Sequence, residues 1–150
     1  MDMRERLNKR LKEAMRDRDQ RQVGTLRLIN AALKDQDIAL RGEGRTVGDA
    51  EALAILAKMV KQRQESARAY EEAGRLELAE QERAEIGIIE GFLPRKLSEA
   101  EVEAAVDKAI EETGATSVRD MGKVMGALKG RYAGQIDFGK VGPMVKARLS

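Results

Sequence analysis

The sequence contains no cysteine, no histidine and no tryptophan among its 150 residues. Without cysteine the chain cannot form disulfides, thiolate metal sites or a cysteine nucleophile, which suits a reducing cytosol. Without histidine it lacks the side chain that most often serves as a general base near neutral pH and as a metal ligand. We therefore expect no catalytic residues, no metal ligands and no cofactor in this chain, and no catalysis by the chain alone.

Aromatic residues and long apolar runs are also scarce. No run approaches the roughly 20 apolar residues of a membrane-spanning helix, and Met1 to Arg10 is too polar for the apolar centre of a secretory signal. These features predict a soluble cytoplasmic protein with no membrane partner. With two Tyr and two Phe, aliphatic side chains must form the core, and the 36% of charged residues fits amphipathic helices.

Apolar residues recur at helical spacing along the whole chain, and no segment alternates with the period of a strand. The pattern predicts an all-α fold with four longer helices followed by three shorter ones. The fourth helix is expected to run from about Leu76 to Phe92, with Leu93 buried beyond it. Pro94 lacks a backbone N–H and disfavours a helical residue before it. We therefore divide the chain into an N-terminal four-helix domain, residues 1–94, and a C-terminal three-helix domain, residues 95–150.

Helix caps support this division. Ser98 and Glu101 form a capping box directly after Pro94, with Leu97 and Val102 at the two hydrophobic-staple positions. Further helix starts are predicted at Asp19, Thr46, Ser117 and Asp137. The helix that follows Ser117 is expected to bury one apolar face, made of Val118, Met121, Val124, Met125 and Leu128.

Basic residues concentrate near the C-terminus. Residues 117–149 carry seven Lys or Arg side chains against two Asp, whereas residues 1–93 carry equal numbers of basic and acidic side chains. A compact cationic unit attracts polyanions because each neutralised phosphate releases a counterion. We predict a nucleic-acid-binding surface that consists of Lys123, Lys129, Arg131, Lys140 and Lys146. The alternative is a solvated basic face without a partner.

Three smaller features leave alternatives open. Gly122 and Gly126, four residues apart, would let either a phosphate backbone or another helix approach closely. Tyr132 would either stack on a base or lie half-buried at a helix end. The acidic residues between Glu71 and Glu90 lack the histidines of a carboxylate di-metal site, so a solvated face is favoured.

One motif matches a phosphate-binding loop incompletely. It runs from Gly134 to Val141, but Val141 stands where that loop needs a Ser or Thr to hold magnesium. The preceding residues also predict a helix and not the required strand. A turn at Gly134 and a helix cap at Asp137 explain the segment better.

Several motifs together resemble a known family. The most specific is Arg119-Asp-Met-Gly-Lys-Val-Met-Gly-Ala-Leu-Lys-Gly130, which is similar to the signature of the GatB/YqeY family. The remaining motifs are similar to small stand-alone members of that family and occur in the same order: Thr25-Leu-Arg-Leu-Ile, Lys61-Gln-Arg-Gln-Glu-Ser, Ala73-Gly-Arg, Glu90-Gly-Phe-Leu-Pro and Leu97-Ser-Glu. The resemblance covers essentially the whole chain.

The resemblance implies an all-helical protein whose C-terminal module is similar to the tail of the B subunit of the tRNA-dependent glutamyl/aspartyl-tRNA amidotransferase. It implies tRNA as a partner, together with amidotransferase or aminoacyl-tRNA synthetase machinery. It also implies an association with carbon–nitrogen ligase activity that uses glutamine as amide donor. The catalytic domains of that enzyme have no counterpart in this sequence, so we expect an accessory protein that binds tRNA.

The alternative function is a helical protein-interaction module with no nucleic-acid role, in which the long N-terminal helices dock a partner. A basic face continuous across the last two helices would favour RNA. An exposed apolar stripe on the second or third helix would favour a protein partner.

Overall fold

The protein is entirely helical in its computed structural model, which describes residues 2–150. The all-α prediction is therefore confirmed. The chain divides into two compact units, one ending at Leu93 and the other running from Pro94 to Ser150. Within residues 2–150, no helix has both the length and the apolar composition that crossing a membrane requires.

The first unit contains α1 (Met3–Arg16), α2 (Gln20–Leu40), α3 (Asp49–Glu72) and α4 (Leu76–Glu90). Asp19 caps α2, as predicted, by accepting a hydrogen bond of 3.1 Å from the Gln22 N–H. All four helices contribute to one aliphatic core, whose fully buried side chains include Leu7, Leu26, Ile29, Leu33, Leu56 and Ile89.

The Asp37 carboxylate connects three segments of the first unit. It accepts hydrogen bonds of 2.8 and 2.7 Å from the Arg4 guanidinium of α1 and one of 2.8 Å from the Val47 N–H, ahead of α3. The pKa of Asp37 lies below its ordinary value, chiefly because of the hydrogen bond from the Val47 N–H and next because of the Arg4 guanidinium. The bonds hold the α2–α3 connection against the core, where Val47 is buried.

This connection explains why the predicted start of α3 was wrong. The helix begins at Asp49 with Gly48 at its N-cap, and Thr46 provides no capping bond. The backbone is still extended at Gly48 because Val47 is tied to Asp37 and buried. The Asp49 side chain instead accepts a hydrogen bond from the Met3 N–H, 3.2 Å away, at the start of α1.

The end of α4 also differs slightly from the prediction. The helix ends at Glu90, and the N–H groups of Phe92 and Leu93 then form two tighter turn bonds to the carbonyls of Ile89 and Glu90. This turn buries Phe92 and leaves Leu93 half-buried, so the expectation that Leu93 is buried was wrong. The chain has left the helix before it reaches Pro94.

The second unit contains α5 (Glu99–Thr113), α6 (Met121–Tyr132) and α7 (Phe138–Leu149). The predicted capping box is confirmed: the Ser98 hydroxyl accepts from the Glu101 N–H at 3.2 Å, and the Glu101 carboxylate accepts from the Ser98 N–H at 3.1 Å. Arg95 adds two bonds of 2.8 Å to the same carboxylate. The Arg95 guanidinium, followed by the Ser98 N–H, lowers the pKa of Glu101 to about 2.

The predicted start of α6 at Ser117 was wrong. Ser117 makes no capping bond, and a short 3₁₀ turn, Val118–Asp120, precedes the helix. The Asp120 carboxylate turns back to accept a hydrogen bond of 3.0 Å from the Thr116 N–H, which stabilises this turn. Val118 lies in the turn and is 40% exposed, so it does not belong to the buried face as expected.

The start of α7 agrees with the prediction. Gly134 adopts a left-handed turn with φ of +79°, and the Asp137 side chain caps α7 by accepting from the Gly139 N–H at 3.0 Å. The Ile136 and Val141 side chains, predicted as a hydrophobic staple, are both buried. The core of this unit is made of Ala105, Val106, Ala109, Val124, Leu128, Ile136, Val141, Val145 and Leu149.

The capping box should make the stability of the second unit depend on pH. The pKa of Glu101 is about 2 in the folded protein against an ordinary 4.5, so its carboxylate contributes stability above pH 4.5. That contribution is lost as the pH falls through this range toward 2. We expect Glu101→Gln to remove this part of the pH dependence, measured by urea unfolding followed by circular dichroism. Glu103→Gln on the same helix is the control and should leave it in place.

The boundary near Pro94 should separate two units that fold independently. We expect a chain of residues 95–150, expressed alone, to be helical by circular dichroism and to unfold cooperatively, because its aliphatic core is formed from its own helices. A fragment without helical signal would contradict the division into two domains.

Candidate nucleic-acid interface

One face of α6 anchors the helix in the second unit. Met121, Val124, Met125, Leu128 and Tyr132 recur at intervals of three or four residues, the spacing of a single helical face. Val124 and Leu128 are completely buried, and the other three side chains are half-buried against the same core. Tyr132 therefore agrees with the half-buried alternative.

The opposite side of α6 is a stripe of bare backbone. Gly122, Gly126 and Gly130 follow one another at intervals of four residues, so they lie along one side of the helix. All three are exposed. Outside their own helix and immediate neighbours, no described atom lies within 4 Å of the position that a Cβ would take. Within residues 2–150, the stripe therefore does not serve helix packing, one of the two interpretations left open by the sequence. We call these residues the glycine stripe.

The glycine stripe lowers the stability of α6. A glycine inside a helix costs about 1 kcal/mol relative to alanine, because its backbone loses more freedom on folding. None of the three glycines has the positive φ that would require glycine. The described fold thus gives no local reason for three glycines in a helix of 12 residues. Such a disagreement between local propensity and fold is expected at functional sites.

Two lysines border the glycine stripe. At about 100° of rotation per residue, Lys129 lies beside the stripe on one edge and Lys123 lies beside it on the other. Both side chains are exposed, and neither forms an ion pair within the described chain. The charge of Lys123 contributes to lowering the pKa of Asp120, although the hydrogen bond from the Thr116 N–H is the main cause. The stripe and its two lysines form a cationic surface without side chains along its middle.

The other three predicted residues have different surroundings. Arg131 points toward α5 and pairs with Glu112 at 2.8 Å, which offsets its charge. Lys140 borders a groove between α5 and α7. Lys146 lies one turn beyond Gly142, and a Cβ at Gly142 would lie 3.8 Å from the Met121 side chain. Lys146 is therefore on the side of α7 that is turned toward α6.

The groove between α5 and α7 has a volume of about 500 Å³. Its floor is apolar, and its rim carries both Lys140 and Lys96 and the acidic residues Glu99, Glu103 and Asp137. Because the rim is of mixed charge, it does not favour an anionic ligand. The groove therefore adds little to the attraction of a polyanion.

Two acidic residues between Glu71 and Glu90 form ion pairs that connect α3 and α4. Glu85 pairs with Arg63 at 2.9 Å, and Glu71 pairs with Arg83. Burial, followed by the neighbouring charge of Glu85, raises the pKa of Glu82. No group of three or more potential metal ligands occurs within residues 2–150. Most acidic residues of the segment between Glu71 and Glu90 are exposed, in agreement with a solvated face, and Glu71 and Glu85 in addition pair with arginines.

Gly130 is the functional candidate that the sequence interpretation missed. Its signal was available, since it continues the four-residue spacing of Gly122 and Gly126. The spacing alone did not reveal whether this side of α6 meets solvent or another helix, and the burial of Val124 and Leu128 decides that question.

Comparison with known proteins adds a family and a relative. A model of the YqeY-like protein family matches residues 4–149. One relative is "Altered inheritance of mitochondria protein 41, mitochondrial" from Pyrenophora tritici-repentis (strain Pt-1C-BFP). It is 30% identical over 132 residues, which cover 84% of this chain and 71% of the relative. That name assigns the relative to the mitochondrion, whereas a cytoplasmic location for this chain stays a prediction. Because the family model spans α1 to α7, the chain belongs to the YqeY-like protein family.

Proposed function

We propose that the protein is a tRNA-binding accessory protein whose main contact with the RNA is α6. The observation that carries this proposal is the glycine stripe between Lys123 and Lys129. Three exposed glycines weaken a helix that would be more stable with alanines. A ligand that must approach the helix backbone closely gives a reason for them.

A phosphate backbone has the chemistry that such a surface accepts. With no side chains along the stripe, phosphate oxygens can approach the helix closely while the two lysine ammonium groups neutralise them from both edges. Contacts of this kind position an RNA without reading its bases. They suit the duplex parts of a tRNA, whose deep and narrow major groove keeps side chains from reading the bases there.

Membership of the family supports tRNA as the polyanion. YqeY-like proteins are related to the C-terminal tail of the B subunit of the tRNA-dependent amidotransferase. In our proposal the chain carries the binding role of that tail. Carbon–nitrogen ligation with glutamine as amide donor would then belong to an amidotransferase, or to synthetase machinery, that acts with this protein.

The two lysines should account for part of the salt dependence of binding. Each phosphate contact contributes a slope of about −0.7 to −0.9 to the dependence of log affinity on log salt concentration. We expect Lys123→Gln with Lys129→Gln to weaken tRNA binding and to flatten this slope by roughly 1–2 units, about equally for different tRNAs. Fluorescence anisotropy at several salt concentrations measures both quantities.

The matched control is Lys96→Gln with Lys108→Gln, which removes the same charge from the same unit away from the glycine stripe. It should change the slope less than the α6 variant does. The proposal is wrong if the α6 variant keeps the parent affinity and slope, or if the parent protein binds no tRNA at low salt.

Replacing the glycines of the glycine stripe by alanine should raise the stability of the second unit and lower its affinity for tRNA. The triple variant Gly122→Ala, Gly126→Ala and Gly130→Ala should stabilise the second unit by about 2 kcal/mol, because alanine favours the helix and the new methyl groups meet open space. The same methyl groups should weaken tRNA binding about tenfold by holding the phosphates away from the helix. Urea unfolding and fluorescence anisotropy provide the two measurements.

Gly87→Ala is the control, since Gly87 is exposed in α4 with equally open space around it. It should stabilise the first unit and leave tRNA affinity unchanged. A triple variant that gains stability and retains its affinity would show that RNA does not contact the stripe.

A further inference from the structure

The solvent-facing side of α2 carries apolar side chains that the fold does not use. The helix buries Leu26, Ile29 and Leu33 completely on its core side. On the other side, Leu28 and Ile38 are 48% and 50% exposed. A single exposed aliphatic side chain is ordinary on a protein surface, whereas Leu28 and Ile38 lie on the same side of one helix.

These two residues belong to a regular seam. Gly24, Leu28, Ala31, Asp35 and Ile38 are separated by alternating steps of four and three residues, which is the spacing of a coiled-coil seam. All five are exposed, and they extend over about 21 Å of the helix. Ala31, between the two large side chains, and Gly24, one turn before Leu28, are small enough to let a second helix lie close to α2. We call these five residues the α2 seam.

The charges beside the α2 seam indicate the kind of helix that fits it. At about 100° of rotation per residue, Arg27 and Lys34 lie along one edge of the α2 seam and Arg21 lies along the other. All three are exposed, and none pairs with an acidic side chain in the described part of the chain. Two copies packed through this seam would bring cationic edges together, which disfavours self-association. A helix with acidic edges would neutralise them.

We infer that the α2 seam is a docking site for an acidic amphipathic helix of a partner protein. The partner carries aliphatic residues at three- and four-residue spacing and Asp or Glu beside them, so that its apolar face covers Leu28 and Ile38. This inference is independent of the proposed RNA contact, because it rests on α2 in the first unit and not on α6.

Asp35 adds a constraint on the register of the partner helix. It is the single charged residue of the α2 seam, and a docked helix would remove it from water. A carboxylate in that position needs a cationic partner, so the docking helix carries one lysine or arginine opposite Asp35. One polar position within an apolar seam fixes the register of two helices.

A designed peptide tests the docking site in the full-length protein. The probe is a helical peptide of about 21 residues with Leu at the seam positions, Glu on both edges and one Lys opposite Asp35. We expect binding in the micromolar range of a small interface, measured by fluorescence anisotropy. Leu28→Glu with Ile38→Glu should weaken this binding about tenfold, as should replacing the peptide's Lys by Glu. Both substitutions lie on the exposed face of α2, and circular dichroism checks that the fold is retained.

Leu76→Glu is the matched control, since Leu76 is 63% exposed at the start of α4, away from the seam. It should bind the peptide as the parent does. The inference is overturned if the Leu28/Ile38 variant binds equally well, or if a peptide with Lys edges binds as tightly as the acidic one. It is also overturned if sedimentation shows a dimer that this variant dissociates, because a second copy would then occupy the seam. The variant should keep the parent affinity for tRNA, and a loss of that affinity would assign the seam to RNA instead.

Discussion

The burial of Val124 and Leu128 decides which side of α6 meets solvent, and the proposed interface depends on that choice. Both side chains are enclosed by the core that α5, α6 and α7 share. Because a helix is rigid about its axis, fixing this face directs Gly122, Gly126 and Gly130 outward with a lysine on each edge. A rotation that exposed Leu128 would cost the burial of a large aliphatic side chain, so the buried face of α6 fixes the position of the glycine stripe.

Each unit contains charges that are paired across helices. In the first unit several acidic side chains are paired with arginines across helices, as in Arg4 with Asp37 and Arg63 with Glu85. These pairs bring segments distant in sequence together. In the second unit the Arg131 charge is offset by Glu112, whereas Lys123 and Lys129 form no ion pair in the described chain, although the charge of Lys123 acts on nearby Asp120. Net charge alone would weigh these cations equally, but a cation that is offset by an ion pair attracts a polyanion less strongly than one that is not.

Local patterns predicted the fold well because helix spacing and caps are local properties. The capping box at Ser98 and Glu101 and the cap at Asp137 occur as the sequence indicates. The predictions failed where a more distant group competes for the same backbone. Asp37 ties down Val47 ten residues away and delays α3, and Asp120 holds Thr116 and displaces the cap expected at Ser117. The glycine spacing was visible in the sequence, but its exposure follows from tertiary packing that no local pattern encodes.

The glycine content of α6 also has a dynamic consequence. Three of its 12 residues are glycine, and no side chain caps its N-terminus. Its helicity therefore comes chiefly from burial of its aliphatic face and little from its own backbone preferences. Amide hydrogens along the solvent side of α6 should exchange through brief local openings that need not unfold α5 or α7. A ligand that closes over this side would suppress these openings, so bound and free protein would differ in amide exchange more than in average structure.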